Sequence, residues 1–108
     1  MEVSYKTIGS NIKKARKAQK LTQAQLAERI GISLLHFGRL ERGDRNVSLA
    51  QLARVADALH VPFDSLLAGS ISGEQGIIQY VSDTASDLAE EDKVLIAELY
   101  HLMKKHMK

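Results

Sequence analysis

Two short windows of this sequence each open on a helix-capping residue and close on a glycine, and the gap between them has room only for a tight turn. Thr22 followed by Gln25 has capping-box spacing, Leu26, Ala27 and Ile30 then share one helical face, and Gly31 stands where a helix ends. Ser33 opens the second window, Phe37 and Leu40 share its inner face, and Gly43 closes it. Helices of about two turns do not hold in water alone. The two windows therefore predict a helix-turn-helix that is packed on further helices.

The remaining apolar spacing is also helical, and no stretch sustains the period-two alternation of a strand, so the expected fold class is all-α. Ile8, Ile12 and Ala15 mark a first helix capped by Ser4, with Lys13, Lys14, Arg16 and Lys17 mostly on its other faces. After a polar loop of Gly43, Asp44, Arg45 and Asn46, Ser48 caps a fourth helix with Leu49, Leu52, Ala53 and Ala56 on one side. A fifth is expected near Pro62, carrying Phe63, Leu66 and Leu67. These five short helices cover residues 4 to 68 of a domain spanning 1–69, with the motif at 22–43.

Glycines and serines between Gly69 and Gly76 mark residues 70–76 as a linker. Residues 77–108 read as a helical extension of about two helices. Ile77, Val81, Ala85 and Leu88 share a face, and Leu95, Ile96, Leu99, Leu102 and Met103 form a second stripe. Glu90, Glu91 and Asp92 precede that stripe and Lys104 and Lys105 follow it, as a helix dipole favours. Two such helices cannot bury both stripes against each other alone. Ile77, Val81, Leu95, Ile96, Leu99, Leu102 and Met103 are therefore expected to form a homodimer contact, the alternative being that they pack on their own domain.

At 108 residues, 44% of them hydrophobic, the chain has material for one small core and not for a second. It has no cysteine, which excludes disulfides, thiolate metal sites and thiol catalysis. No apolar run approaches the ~18 residues of a membrane span, and the lysine-rich first twenty residues do not read as a secretory signal, so the expected location is cytoplasmic. The charge is unevenly spread. Residues 1–72 hold eleven Lys/Arg against six Asp/Glu, a net of +5, whereas residues 73–108 hold four against seven, a net of −3. A basic front and an acidic tail suggest an anionic partner for the first and a different one for the second.

Placed on a helical wheel, the third helix points Leu35, Gly38, Arg39 and Arg42 outward, with Leu34 and His36 on the flanks. Exposed leucines are poor choices for a surface that meets only water, but they suit the major groove of DNA. Arg39 is placed to reach guanine O6 and N7 with two hydrogen bonds, Leu34 or Leu35 to cover a thymine methyl, and Gly38 to permit close approach. Gln23, at the first turn of the second helix, suits a phosphate oxygen, and Ser33 and His36 lie at the edge of the same face. Arg42, Arg45 and Asn46 would flank the groove on the backbone or in the minor groove.

Thr22-Gln23-Ala24-Gln25-Leu26-Ala27, Gly31-Ile32-Ser33, Leu40-Glu41-Arg42-Gly43, Ser48-Leu49, Leu52, Ala56 and Leu59-His60-Val61 together resemble the Cro/phage-repressor (XRE) family of helix-turn-helix proteins. The resemblance runs without a gap over roughly residues 8 to 67. It implies a lambda-repressor-like domain of five helices whose third reads the major groove, usually as a dimer on a two-fold site. By position, Gln23 matches the family's phosphate-contacting glutamine, Leu34, Leu35 and Arg39 its base-reading positions, and Arg16 and Glu41 an ion pair tying the first helix to the third. Leu34 and Leu35 replace residues that are often polar, and Gly38 stands where serine is commoner. The hydrogen-bonding code implied for this chain therefore rests heavily on Arg39.

No catalytic constellation accompanies these features. His36, His60, His101 and His106 lack the i, i+4 spacing of a helical zinc pair, Glu90 to Asp92 read as a charged helix start, and there is no phosphate loop or nucleophile elbow. The sequence thus predicts a regulator that binds double-stranded DNA, most simply a repressor, with no enzyme activity, metal or cofactor. The competing expectation is an antitoxin-like or other protein-interaction module that holds a partner through Leu34 and Leu35 or through the acidic C-terminal helices.

Overall fold

Short polar side chains start four α-helices of this chain by taking up backbone donors that a helix itself leaves unpaired. In a computed structural model that describes residues 3–71 together with Gly76, Gln79, Tyr80 and Ser82, four α-helices follow one another: α1 (Tyr5–Ala18), α2 (Gln23–Ile30), α3 (Leu34–Arg42) and α4 (Leu49–Leu59). Ser4 accepts from the Thr7 amide at 3.2 Å, and Ser33 accepts from that of His36 at 3.1 Å. Thr22 with Gln25 and Ser48 with Gln51 form full capping boxes, in which each side chain bonds the other residue's backbone. Gly31, Gly43 and His60 end α2, α3 and α4 in the left-handed conformation.

The expected fifth helix is instead a single 3-10 turn, Phe63–Leu67, with Pro62 at its cap. Five residues are too few to propagate an α-helix, and what holds the turn is tertiary. Leu66 and Leu67 are buried, and the Asn11 side-chain amide of α1 donates to the Leu66 and Ala68 carbonyls at 3.0 and 2.9 Å.

The core lies between the helices. Ile8 and Ile12 of α1, Leu26 of α2, Phe37 and Leu40 of α3 and Leu49, Leu52 and Leu59 of α4 are all but fully buried, each contributing roughly 1.5–3 kcal/mol of transfer free energy. α1 runs unusually close to α3. A Cβ on Gly9 would fall on the carbonyl oxygens of Glu41 and Leu40, at 2.5 Å from the latter, so only glycine lets the two backbones meet there. Gly43 combines a φ of +75° with contact on the Lys6 backbone, where a Cβ would lie 2.6 Å from the Lys6 Cα.

The N-terminal strand-like end is tied to the far end of the domain. Val3 and Ile71 form an isolated antiparallel bridge, and the Ser4 amide donates to the Ser70 carbonyl at 2.7 Å. Ser70 and Ile71, assigned above to the linker, thus lie against the start of α1, and Ser70 is buried. Gly76, Gln79, Tyr80 and Ser82 are helical. Tyr80 is fully buried, its ring 6.1 Å from that of Tyr5, and its hydroxyl donates to the Val47 carbonyl at a long 3.3 Å. Burial, and secondarily Tyr5, pushes the Tyr80 phenol well above its ordinary pKa, so it remains a donor. Ile77, Val81, Leu95, Ile96, Leu99, Leu102 and Met103 lie outside the described residues.

Candidate nucleic-acid interface

The outer face of α3 is assembled by default. Once Phe37 and Leu40 are drawn into the core, the 3.6-residue period turns Leu34, Leu35 and Arg39 to the outside. Leu34 is 53% exposed and Leu35 65%, and they are the exposed large hydrophobic residues among those described. Arg39 is exposed and His36 half-buried, while the Ser33 side chain is engaged as the helix cap. Arg39 and Arg42 stand in the last turn, where the helix dipole favours positive charge.

Gly38 corrects the wheel-based expectation that it lies on the outer face. It is buried: a Cβ there would lie 3.2 Å from an Arg42 guanidinium nitrogen and 3.9 Å from the Gln23 side-chain oxygen. Arg42 comes from the next turn of the same helix and Gln23 from the start of α2. Together they roof over a position that a single-helix projection leaves open. Gly38 therefore lies under the Arg42 and Gln23 side chains and not on the open outer face.

Beneath this face a polar network with a buried ion pair at its centre spans three helices. The Arg16 Nε and a terminal guanidinium nitrogen donate to the two Glu41 carboxylate oxygens at 2.7 and 3.0 Å, and the other terminal nitrogen donates to the Leu21 carbonyl at 2.7 Å. This two-pronged geometry is the strongest form of the pair. Gln23 joins it, its side-chain nitrogen donating to Glu41 Oε1 at 2.9 Å. Glu41 thus orients α3 from α1 and tethers Gln23, whose backbone amide is among the first-turn donors of α2 that have no partner within the helix and so suit an anion.

Arg45 and Asn46 are exposed in the loop between α3 and α4, and Arg42 pairs with Asp44 at 2.9 Å on the surface. An exposed pair of this kind contributes little and opens readily to a competing anion. His36, Arg45, Asn46 and Arg54 line one open groove beside α3. Arg54 escaped the sequence reading because it is the one basic residue of α4, set among the apolar positions that mark that helix as a core element. Its only signal is a charge on the helix flank nearest the loop. Among the described residues no helix is long and apolar enough to cross a membrane, and no cluster of three or more His, Asp or Glu side chains comes together.

The architecture that holds this face has known counterparts. The helix-turn-helix family model HTH_3 matches residues 12–66, just over half of the chain. The chain belongs to the HTH_3 helix-turn-helix family. Individual relatives match over longer stretches than the 55 residues of the family model. The immunity repressor protein of Bacillus phage phi105 is 34% identical over 84 residues, 78% of this chain and 58% of that protein. The cryptic phage CTXphi transcriptional repressor RstR of Vibrio cholerae is 32% identical over 88 residues, covering 82% of this chain and 79% of RstR. Among solved structures, the restriction-modification controller protein C.AhdI from Aeromonas hydrophila is 34% identical with a TM-score of 0.56, over 57% of this chain and 94% of that one. The chain thus spans 58% of the length of the phi105 repressor.

Proposed function

We propose that this chain is a sequence-specific regulator of transcription that binds double-stranded DNA, most simply a cytoplasmic repressor, with α3 in the major groove. The observation that carries the reading is the outer face of α3: Leu34, Leu35 and Arg39 stand exposed on a helix held by the buried Arg16–Glu41 pair, to which Gln23 is bonded. Two exposed leucines beside an arginine are costly in water and productive against thymine methyls and a guanine edge. Arg42, Arg45 and Asn46 on one side and the start of α2 on the other would hold the sugar-phosphate backbones. The names of the phi105 and RstR relatives support repression.

Residues 77–108 would supply a homodimer contact, setting two recognition helices about 34 Å apart on a pseudo-palindromic site. Selection of bound duplexes from random sequence tests the reading directly, and such a site should emerge. With roughly four phosphates neutralised per protomer, the log-log dependence of affinity on salt should have a slope near −7 for a dimer. A slope near zero would contradict the mechanism. On the selected site, Arg39→Ala should weaken binding by about 1–3 kcal/mol and relax one base position, whereas Gln23→Ala should weaken all sequences alike. Equal losses on every sequence for both variants would remove the division of roles.

The same two leucines, at 53% and 65% exposure, also favour a second reading, a protein-interaction or antitoxin-like module. A selection that retains no DNA, combined with a stoichiometric protein partner lost on Leu35→Asp, would replace the first reading with this one.

A further inference from the structure

The loop between α3 and α4 carries Arg45 and Asn46 outward, and it is held from behind at both ends by residues outside the helix-turn-helix. At its start, Gly43 presses on the Lys6 backbone at the beginning of α1. At its end, Val47 is buried and its carbonyl accepts from the Tyr80 hydroxyl at 3.3 Å. Tyr80 in turn lies on Tyr5, one residue before Lys6, with the rings 6.1 Å apart. A shallow groove lined by Val3, Tyr5, Lys6, Gly43 and Asn46 shows the N-terminal segment running along the back of the loop. Tyr80 is among the largest fully buried side chains of the described chain, yet it comes from beyond the Val3–Ile71 bridge that closes the domain. One aromatic side chain therefore joins the segment after residue 71 to both supports of a loop that exposes Arg45 and Asn46 beside Asp44, whose carboxylate is paired with Arg42.

We propose that Tyr80 is a positioning residue for the DNA-facing loop, so that backbone contacts made by Arg45 and Asn46 depend on a side chain supplied by the C-terminal segment. The inference rests on the DNA-binding reading above. Loop residues held at one geometry lose less freedom when they engage a phosphate than mobile ones do, so the brace would act as preorganisation. A segment that also contacts a partner or a second copy would then adjust DNA affinity by seating or releasing one ring, without touching DNA.

The test uses the full chain with Tyr80→Ala, which removes ring and hydroxyl, and Tyr80→Phe, which removes the hydroxyl alone. In the absence of DNA, nitrogen-15 relaxation should show residues 44–47 dropping from order parameters near 0.85 to about 0.6 or less in Tyr80→Ala, and by a smaller step in Tyr80→Phe, while α2 stays rigid. On a random-sequence duplex of about 20 base pairs at about 50 mM salt, Arg45→Ala should cost several-fold in affinity in the wild-type background and about three-fold less than that in Tyr80→Ala. A merely structural tyrosine would lower the melting temperature and leave both readouts alone. Unchanged order at 44–47, or the full Arg45→Ala loss in both backgrounds, would overturn the proposal, and if Tyr80→Ala does not fold, the same two measurements on Tyr80→Phe decide it. Wild-type protein that does not retain the duplex would instead overturn the DNA-binding reading, and the proposal with it.

Discussion

Glu41→Ala should cost this domain about 3–5 kcal/mol, read as a lowered urea midpoint at unchanged m-value. The side chain is 2% exposed and receives three donors: two from Arg16, itself 8% exposed, and one from Gln23. Truncation leaves the Arg16 guanidinium buried with the Leu21 carbonyl as its one remaining partner among these contacts. It is this stranded charge, more than the lost attraction, that sets the size of the effect. Replacing both partners with apolar residues of similar volume, as in Arg16→Met with Glu41→Leu, should recover most of the loss, because no charge then remains to be solvated. The double variant should nevertheless bind DNA less well, since Gln23 loses its tether and α3 its polar registration against α1. A loss below about 1 kcal/mol for Glu41→Ala would place the pair in water, where such contacts have little weight.

Gly9→Ala should lower the melting temperature by roughly 12 °C or more, the equivalent of about 3 kcal/mol for a domain of this size. Helix propensity alone gives the opposite sign, because alanine in a helix interior is favoured over glycine by about 1 kcal/mol. The geometry decides between the two. The added methyl would meet backbone carbonyl oxygens of Leu40 and Glu41, not the far end of a flexible side chain, so relief requires moving the last turn of α3 away from α1. That turn carries Glu41, which means the substitution also disturbs the ion pair whose removal is costly by itself. A variant as stable as wild type would show that α1 and α3 lie further apart than this.

The caps and stops of this chain are written locally, which is why they are visible in the sequence. Ser4, Thr22, Ser33 and Ser48 each act on a backbone amide within three residues, and Gly31 and Gly43 each act on their own φ. The apolar periods that predict Ile8, Leu26, Phe37 and Leu52 inside the core are likewise properties of single helices. Arg16 and Glu41 became a pair through the resemblance to a family, since nothing in either residue's neighbourhood announces a partner so far along the chain.

What failed to appear in the sequence depends on contacts between elements. Gly38 projects outward on its own helix, and only the arrival of Gln23 from α2 and the fold of Arg42 across it close it off. The fifth helix became a 3-10 turn because its five residues take their stability from Asn11 and the core and not from a helical ladder. Tyr80 looks like any aromatic residue in an amphipathic stretch, and its seat between Tyr5 and Val47 exists only after the chain has doubled back. Helix starts, helix ends and buried stripes follow from short-range sterics and solvation, and the residues themselves were enough to place them. Tertiary structure alone settled how near two backbones approach, which polar groups share a buried carboxylate and which loop an aromatic ring supports, because each is a distance between segments that no local interaction sets.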